Sequence, residues 1–587
     1  MTLKKLKVAP GIRNENSDLG LEGAWKDGNR VRFYKGSPEK IGGWQKATTS
    51  EFKGLARGTK AWIDLQDKSW IGFGTHLKLY LWGTAFTDIT PIRASSTIDS
   101  NPFTTNATTT VSVNDTAHGA VVNDFVTFSG ATTVDSLDMN AEWQITAITD
   151  DDNYTFTHTG TASGSSSGGG ASVTAAYQIN TGGANGVFGL GWGAGTWGSS
   201  TWGTARSSSN IFSFARTWSL DTFGEDLIAN PRGGGIYRWD ASVGVDTRAA
   251  IVSNAPTTAT FILTTPDSRQ LIAFGAHDGV ANNTLNIRWT DKEDATSWTS
   301  TATNSAGDRL LDTGSQILSA IRTEQEILVF TDESVYSMQF IGGNEVFAFH
   351  LLSEDAGQRG PHSAAVYQNK TYWMGTNNFY IHDGRVRILP CDVRSHVFDN
   401  LIDSQRDKCF AGVNREFNEI WWFYPTTAGT EIDKYVVYDI EENVWHIGDL
   451  ARTAWEDRGE VWNAIHAFGA TGALWNHETG VDDDTGGMSW HLEMGDMDIE
   501  DGENFAFIDK IIPDFENLTG NITYTLKTRR YPRSGQISKT YTFTTGKEFL
   551  PVRARGRQIA IRMESSDVSQ TFRLDSNNAN SRADGGR

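Results

Sequence analysis

The sequence predicts an all-β fold with a central β-propeller of six or seven blades, an inserted small β-barrel or sandwich domain and a C-terminal β-sandwich. Composition is the first indication, because 11% of the 587 residues are aromatic while glycine reaches 60 and proline only 13. This mixture suits short strands and tight turns better than long helices. Periodicity is the second, because groups of four short alternating runs recur about every 40 residues, as in propeller blades.

Residues 1–92 are predicted to hold an N-terminal hairpin and the first blade. In the hairpin, Val31 and Phe33 alternate with polar neighbours, and Gly36 and Pro38 mark the turn. The alternation indicates two short strands, which return to Trp44 after the turn.

Residues 93–180 differ from the rest in composition, since threonine, serine, alanine, valine and asparagine dominate and tryptophan almost vanishes. Apolar–polar alternation continues through this stretch, which indicates further short strands. We therefore predict that it forms the inserted small β-barrel or sandwich domain.

Residues 181–486 are predicted to supply the remaining blades. Within them, residues 327–330 and 335–341 are strand candidates, joined by a turn whose short polar side chains can bond nearby backbone. Trp298 closes a polar loop just before, and we interpret it as a core or inter-blade anchor.

Trp192, Trp197 and Trp202 recur every five residues in a glycine-rich segment, a spacing that fits neither a helix nor a strand. We interpret the segment as a glycine-turned loop whose indoles pack a domain junction. An aromatic platform for carbohydrate is the alternative.

Residues 487–587 are predicted to form the C-terminal β-sandwich and an extended tail. The later half is basic, so it is the candidate contact for an anionic partner or nucleic acid. The residues concerned are Lys527, Arg529, Arg530, Arg533, Arg553, Arg555 and Arg557. The alternative is a charged sandwich face that balances the acidic stretch at 493–503.

The formal charge of −20 and the pI near 5.1 predict a surface that, as a whole, repels nucleic acid and anionic membrane. Two cysteines, Cys391 and Cys409, cannot form a disulfide framework and lack zinc-site spacing, which favours unlinked thiols in a reducing cytoplasm. No signal-peptide pattern and no bilayer-length apolar run is present, so we expect a soluble protein without a membrane-spanning segment.

No catalytic, cofactor or metal signature occurs in the sequence, and we predict no enzyme and no cofactor. Carboxylates at 150–152 and 482–484 could hold calcium weakly, but solvated turns are the favoured interpretation. Paired carboxylates for glycoside cleavage stay open, because their separation is spatial. The nearest approach to a repeated glycosidase turn, TDKEDATSW at 290–298, lacks the glycine and does not recur.

Several motifs together resemble those of the tail nozzle proteins of short-tailed bacteriophages, also called tail tubular protein B, and of the related packaged-DNA stabilisation proteins. They are GNRVRFYKGSPEKIGGW, DITPIR, GWGAGTWG, IRWTDKEDATSW, NSAGDRLLDTGSQI, ILVFTDESVYSMQFIGG, FNEIWWFYP, YVVYD, GRQIAIRMES, FRLD and a final DGGR. The resemblance spans most of the chain, and residues 93–180 are its main departure.

The resemblance implies a propeller subunit of the virion tail, synthesised in the host cytoplasm and assembled as a homo-hexamer below the portal adaptor ring. Such a ring would continue the channel, retain packaged double-stranded DNA without sequence recognition and allow its ejection. Tail fibres or tail-tip proteins are the other implied partners, and we expect the insert to serve them. The alternative function is a virion-associated or secreted propeller that binds or hydrolyses cell-surface glycans.

Overall fold

The computed structural model describes residues 2–18, 20–188, 212–459, 461–499, 504–532 and 534–585. Strands account for 50% of the chain and helices for 2%, which confirms the predicted all-β class. The chain divides into two compact units, one formed by Met1–Glu51 with Thr313–Arg587 and the other by Phe52–Asp312. None of the described helices has the length and apolarity needed to cross a membrane.

The first unit starts with six short strands. They are β1 (Thr2–Leu6), β2 (Ala9–Ile12), β3 (Ala24–Asn29), β4 (Val31–Tyr34), β5 (Ser37–Lys40) and β6 (Trp44–Lys46). The predicted hairpin is β4 with β5, in which Phe33 faces Pro38 across the two strands.

The second unit begins with blade 1, a four-stranded antiparallel meander. Its strands are β7 (Ala56–Ile63), β8 (Ser69–Thr75), β9 (Leu79–Trp82) and β10 (Phe86–Asp88). Trp62, Trp70 and Leu81 are buried and pack with residues of the following blade, including Trp239. Burying these large rings supplies much of the hydrophobic stabilisation of the unit.

The insert follows blade 1 as eight strands. They are β11 (Ile92–Thr97), β12 (Phe103–Thr105), β13 (Thr110–Asn114), β14 (Phe125–Ser129), β15 (Glu142–Ile148), β16 (Asn153–Thr157), β17 (Ser167–Gly168) and β18 (Thr174–Gln178). Their order is β11-β18-β14-β15-β16-β13-β12-β17, so the two end strands do not pair and the described sheet does not close into a barrel. Both halves share one core, in which Phe103 meets Phe128 edge to face.

The second unit continues with a short hairpin and two more four-stranded meanders. The hairpin is β19 (Val187–Phe188) with β20 (Phe212–Ser213). Blade 2 is β21 (Trp218–Phe223), β22 (Asp226–Pro231), β23 (Tyr237–Trp239) and β24 (Ala250–Ile251). Blade 3 is β25 (Phe261–Thr264), β26 (Leu271–Phe274), β27 (Asn286–Trp289) and β28 (Gly307–Leu310).

Trp298 lies in the core that blades 2 and 3 share, where it contacts apolar residues of both. Its indole N–H donates to the carbonyl of Ala295 over 2.9 Å. The predicted anchoring role of Trp298 is therefore confirmed.

The first unit resumes with two further four-stranded meanders and short helical turns. Blade 4 is β29 (Ile317–Arg322), β30 (Ile327–Thr331), β31 (Val335–Phe340) and β32 (Phe347–Ser353). Blade 5 is β33 (Ala364–Tyr367), β34 (Lys370–Met374), β35 (Phe379–His382) and β36 (Val386–Leu389). The helical segments are α1 (Arg394–Phe398) and 3-10 turns at Gly343–Glu345 and Asp403–Lys408.

Two more meanders complete the described blades, for a total of seven four-stranded sheets. Blade 6 is β37 (Phe410–Asn414), β38 (Glu419–Pro425), β39 (Ile432–Asp439) and β40 (Val444–Asp449). Blade 7 is β41 (Arg452–Glu456), β42 (Ile465–Gly469) and β43 (Leu474–His477), completed by β6. Repeated up-and-down sheets of this kind are the blades of a β-propeller.

The C-terminal sandwich consists of two sheets built from both ends of the chain. The new strands are β44 (Trp490–Met494), β45 (Met497–Asp498), β46 (Ala506–Glu516), β47 (Asn521–Arg529), β48 (Ile537–Thr544), β49 (Leu550–Gly556), β50 (Gln558–Ser565) and β51 (Arg573–Ala583). One sheet runs β4-β5-β51-β46-β49 with β1 beside β51, and the other runs β2-β3-β44-β50-β47-β48 with β45 beside β50.

The N-terminal strands thus belong to the sandwich and to blade 7, whereas the sequence grouped residues 1–92 with the first blade. Close backbone approach fixes this arrangement at Gly11, where an added Cβ would lie 2.7 Å from Val444 Cβ of blade 6. The φ angle of +88° at Gly11 also favours glycine.

Candidate functional site: the charged face of the sandwich

The predicted basic cluster lies mainly on strands β47 and β49 of the sandwich, with Arg557 between β49 and β50. Along β47, Ile522, Tyr524 and Leu526 are buried in the sandwich core, so strand alternation sends Lys527 and Arg529 to the outer face. The outer face of this sheet is therefore where the candidate residues meet their partners.

Glu493 on β44 is surrounded by three cationic side chains on this face. Its carboxylate lies 2.6 Å from Lys527 Nζ, 3.0 Å from Lys26 Nζ and 3.4 Å from Arg562 Nη1. Burial acts to raise the pKa of Glu493, but hydrogen bonds from Lys527 and Lys26 outweigh burial and lower it. Lys527 is thus engaged by a carboxylate of its own chain.

Arg529 is engaged in the same way, since its guanidinium lies 2.8 Å from Asp18 and 2.8 Å from the buried Asp496. Both Asp496 and Glu493 come from the acidic stretch that the sequence placed before the basic half. This part of the cluster is arranged as a charge-balanced sandwich face.

The other candidate residues lie toward the ends of the sheets. Arg555 pairs with Asp584 and covers the ring of Phe505 at 4.4 Å from its centroid. Arg557 lies 5.1 Å from the ring centroid of Tyr531. Arg530 and Arg553 are exposed, and Arg533 lies outside the described residues.

A polar cleft of about 430 Å³ opens on the same face. His491, Arg562, Glu564, Asn521 and Thr523 contribute to its lining. Arg562 Nε donates to Glu564 over 2.9 Å, and His491 Nε2 lies 3.1 Å from Asp27. The charged groups that line the cleft therefore already have partners within the protein.

A buried ion network that sequence reasoning missed joins the sandwich to blades 6 and 7. Arg32 Nε donates to Glu419 Oε1 over 3.0 Å, and Arg32 Nη1 donates to Glu478 over 3.1 Å. Asn414 and Trp421 add hydrogen bonds to Glu419 at 3.1 and 3.0 Å. The motif FNEIWWFYP contained the signal, because a glutamate within an aromatic run requires a buried partner.

Glu419 and Asp439 are cross-strand partners on β38 and β39. Burial acts to raise the pKa of Glu419, but the Arg32 guanidinium, together with His446 and Trp421, outweighs burial and holds this pKa at about 2. Burial, reinforced by Glu419, raises the pKa of Asp439 to about 6. Divergent carboxyl pKa values are a feature of acid–base catalysis, but both groups are buried, so a substrate cannot reach them.

A second buried network, within the other unit, fixes the insert to blades 1 and 2. Lys78 Nζ lies 2.7 Å from Asp88 of blade 1 and 2.6 Å from Glu142 of the insert. Gln178 of the insert donates to Glu142 over 2.6 Å, and Arg248 lies 3.3 Å from Asp88. The insert is therefore held by charged and polar contacts as well as by its two chain connections.

The sequence also contained carboxylate-rich segments that were candidates for calcium binding or glycoside cleavage, and in the structure Asp291 and Asp482 of these segments accept backbone N–H groups in turns. Asp291 accepts the N–H of Ser305 over 2.9 Å, and Asp482 accepts the N–H of Ser569 over 2.7 Å. Among the described residues no group of three or more possible ligands could hold a metal ion. The segment with Trp192, Trp197 and Trp202 lies outside the described residues.

The comparisons with known proteins give no family. No family model and no curated protein matches the sequence. Among solved structures, the phage phi92 endosialidase matches at 10% identity with a TM-score of 0.22, covering 72% of this chain and 63% of the endosialidase chain. An exo-β-1,3-galactanase from Phanerochaete chrysosporium matches at 7% identity with a TM-score of 0.25, covering 64% of this chain and 97% of the galactanase. TM-scores this low do not establish a shared fold.

Proposed function

We propose that the chain is a structural, non-enzymatic subunit of a bacteriophage tail. In this proposal it forms a ring-shaped nozzle below the portal adaptor, continues the DNA channel, retains packaged DNA and allows its ejection. The motifs that resemble tail nozzle proteins suggest the family, and the use that the structure makes of buried charge supports the role.

The observation that carries the proposal is that buried charges fasten one module to another. Arg32 joins the sandwich to blades 6 and 7, and Lys78 joins the insert to blade 1. Removing one partner from such a network leaves an uncompensated buried charge, so each network favours the one docking arrangement in which all its charges are paired. A subunit of a ring-shaped channel requires modules that dock in one arrangement.

The charge of the chain also supports the role. A net charge of −20 repels phosphate, so DNA can slide past such a surface without adhering to it. The cations of the sandwich face are largely neutralised by Glu493, Asp18 and Asp496.

Electron microscopy of negatively stained particles tests the proposal. The purified chain is mixed with the portal–adaptor complex of the same virion, and the expected result is a ring of added density below the adaptor. Failure to bind the adaptor complex, combined with hydrolysis of host surface glycans, would favour the glycan-acting alternative instead.

A deletion tests the role of the insert within this function. Ala94 and Tyr177 are cross-strand partners, so a short glycine–serine linker can replace residues 95–176 without separating the flanking strands. We expect the shortened chain to bind the adaptor ring and to lose fibre attachment. Loss of ring binding by a folded deletion variant would contradict the assigned role of the insert.

A further inference from the structure

Charge is distributed unevenly between two parts of this chain. Residues 527–562 hold ten lysines and arginines and one acidic residue. Residues 93–180 hold nine acidic residues, one arginine and no lysine. Lys527, Arg529, Arg555 and Arg562 already pair with carboxylates outside the segment, so the remaining exposed cations are those available to a second molecule. Opposite charges attract when they belong to different molecules, and they set the orientation of an encounter.

The exposed part of the basic segment lies where both sandwich sheets end, at β48 and β49. Lys539 Nζ on β48 donates to the carbonyl of Arg553 on β49 over 2.7 Å, which places the two edge strands side by side. The guanidinium groups of Arg530 and Arg553 make no ion pair with any described residue. We call β48, β49, Arg530 and Tyr531 the basic edge.

The basic edge also exposes large apolar side chains. Tyr531 is 57% exposed and Ile537 is 52% exposed. Arginine together with exposed aromatic and aliphatic groups is typical of protein interfaces. A surface that bound DNA alone would need its cations but not these apolar groups. The composition of the basic edge therefore fits an acidic protein surface better than a nucleic acid.

The insert carries the complementary combination at one end. Asp99 and Asp151 are exposed there, and so are Val121 and Val122. His118 Nε2 lies 3.2 Å from the carbonyl of Asp150, which connects the valine-bearing loop to the acidic loop. This end of the insert thus combines carboxylates with exposed apolar side chains, whereas the basic edge combines cations with exposed apolar side chains.

We propose that the basic edge of one copy binds the acidic end of the insert, with Asp99 and Asp151, in a second copy of this chain. Two different surfaces of the same chain then meet head to tail, which is the contact that generates a closed ring. The inference deepens the proposed function by naming the subunit contact. It also fails separately, because contact with the adaptor and contact between copies use different surfaces: a chain without the insert is expected to bind the adaptor ring but not to self-associate.

Lysine and arginine on edge strands have a second use, since they prevent edge-to-edge aggregation. A purely protective role predicts that reversing these charges changes aggregation without any dependence on the insert. The docking role predicts that the basic edge and the insert depend on each other.

Sedimentation velocity of the full chain separates the two roles. One variant combines Lys539→Glu with Arg553→Glu, and the other combines Asp99→Lys with Asp151→Lys. The wild type is expected to self-associate in about 50 mM NaCl and to dissociate in about 500 mM NaCl. Each variant alone should associate at least about tenfold more weakly, because like charges then face each other. An equimolar mixture of the two variants should recover the association.

A matched control reverses two exposed arginines outside both surfaces, Arg269→Glu with Arg309→Glu. It changes the net charge by the same amount as the basic-edge variant and should associate like the wild type. Circular dichroism of every variant should match the wild type, which confirms folding.

Three results would overturn the inference. They are a wild type that stays monomeric in low salt, self-association that neither reversal weakens, and a mixture of folded variants that does not recover association. Loss of duplex DNA binding in the basic-edge variant with unchanged self-association would identify nucleic acid as the partner instead.

Discussion

Arg32 and Glu419 form a buried ion pair between strand β4 of the sandwich and strand β38 of blade 6, with Arg32 Nε 3.0 Å from Glu419 Oε1. Their side chains are 2% and 1% exposed. Because Glu478 also accepts from Arg32, one guanidinium bridges two carboxylates, Glu419 on β38 and Glu478 just after β43. The pair fixes where the N-terminal segment docks.

Replacing Arg32 with methionine should destabilise the fold strongly. The substitution keeps much of the side-chain volume but leaves Glu419 and Glu478 without their cation, at a cost of about 3–5 kcal/mol. Thermal and denaturant unfolding measure the loss. Arg269→Met is the matched control, because Arg269 pairs with Glu293 on the surface, and such pairs contribute about 0–1 kcal/mol. Equal stability of the two variants would contradict the importance of the network.

Replacing Asp439 with asparagine should stabilise the protein at neutral and alkaline pH. Burial, reinforced by Glu419, raises the pKa of Asp439 from 3.8 to about 6. The folded state therefore binds this proton more tightly than the unfolded state, and the free energy of unfolding falls as pH rises from about 4 to about 6. An asparagine oxygen can still accept the N–H groups of Glu441 and Glu442.

Unfolding midpoints of the Asp439→Asn variant at pH 4 and pH 8 measure this effect. We expect a gain of about 1–3 kcal/mol at pH 8 and almost none at pH 4. Asp151→Asn, at an exposed loop position, should change stability at neither pH. A gain of the same size at both pH values would show that ionisation of Asp439 is not the cause.

Local patterns predicted the strands and turns of the blades correctly. The candidates at 327–330 and 335–341 are strands β30 and β31. At their turn, Thr331 Oγ1 accepts the N–H of Ser334 over 2.7 Å, as the short polar side chains indicated. These features depend on neighbours in sequence, so periodicity and turn chemistry are sufficient to find them.

Pairing between distant segments was not predictable in the same way. Arg32 alternates with Val31 and Phe33, which suggests a solvent-facing residue, yet β4 is buried on both faces. Strand alternation identifies a strand but not its partner. The docking of the N-terminal strands onto the C-terminal sheets therefore could not be predicted from the sequence. Asp18, one partner of Arg529, was missed for the same reason, since it is distant in sequence. The acidic stretch that supplies Glu493 and Asp496 was identified from the sequence as a possible balancing charge.

Replacing Lys78 with methionine should loosen the insert while leaving its core intact. Lys78 is 3% exposed and bridges Asp88 and Glu142, so its loss leaves two carboxylates close together without their main cation. Hydrogen exchange should become faster at β10, β15 and β18 but not at β13 or β16 inside the insert. Lys53→Met is the control, because Lys53 is 58% exposed and lies 3.8 Å from Glu142. Uniformly faster exchange across the insert would show that Lys78 supports its folding rather than its attachment.

Lys527 and Arg553 both belong to the predicted basic cluster, but we expect substitution of Lys527 to affect stability and substitution of Arg553 to affect self-association. Lys527→Ala removes one of the cations around the buried Glu493 and should destabilise the sandwich by about 1–3 kcal/mol. Arg553→Ala removes an exposed guanidinium and should change stability by less than about 0.5 kcal/mol. Denaturant unfolding measures both effects, and sedimentation in low salt should show weaker self-association for Arg553→Ala alone. If Lys527→Ala were as stable as Arg553→Ala, the charge balance around Glu493 would not contribute to the sandwich fold.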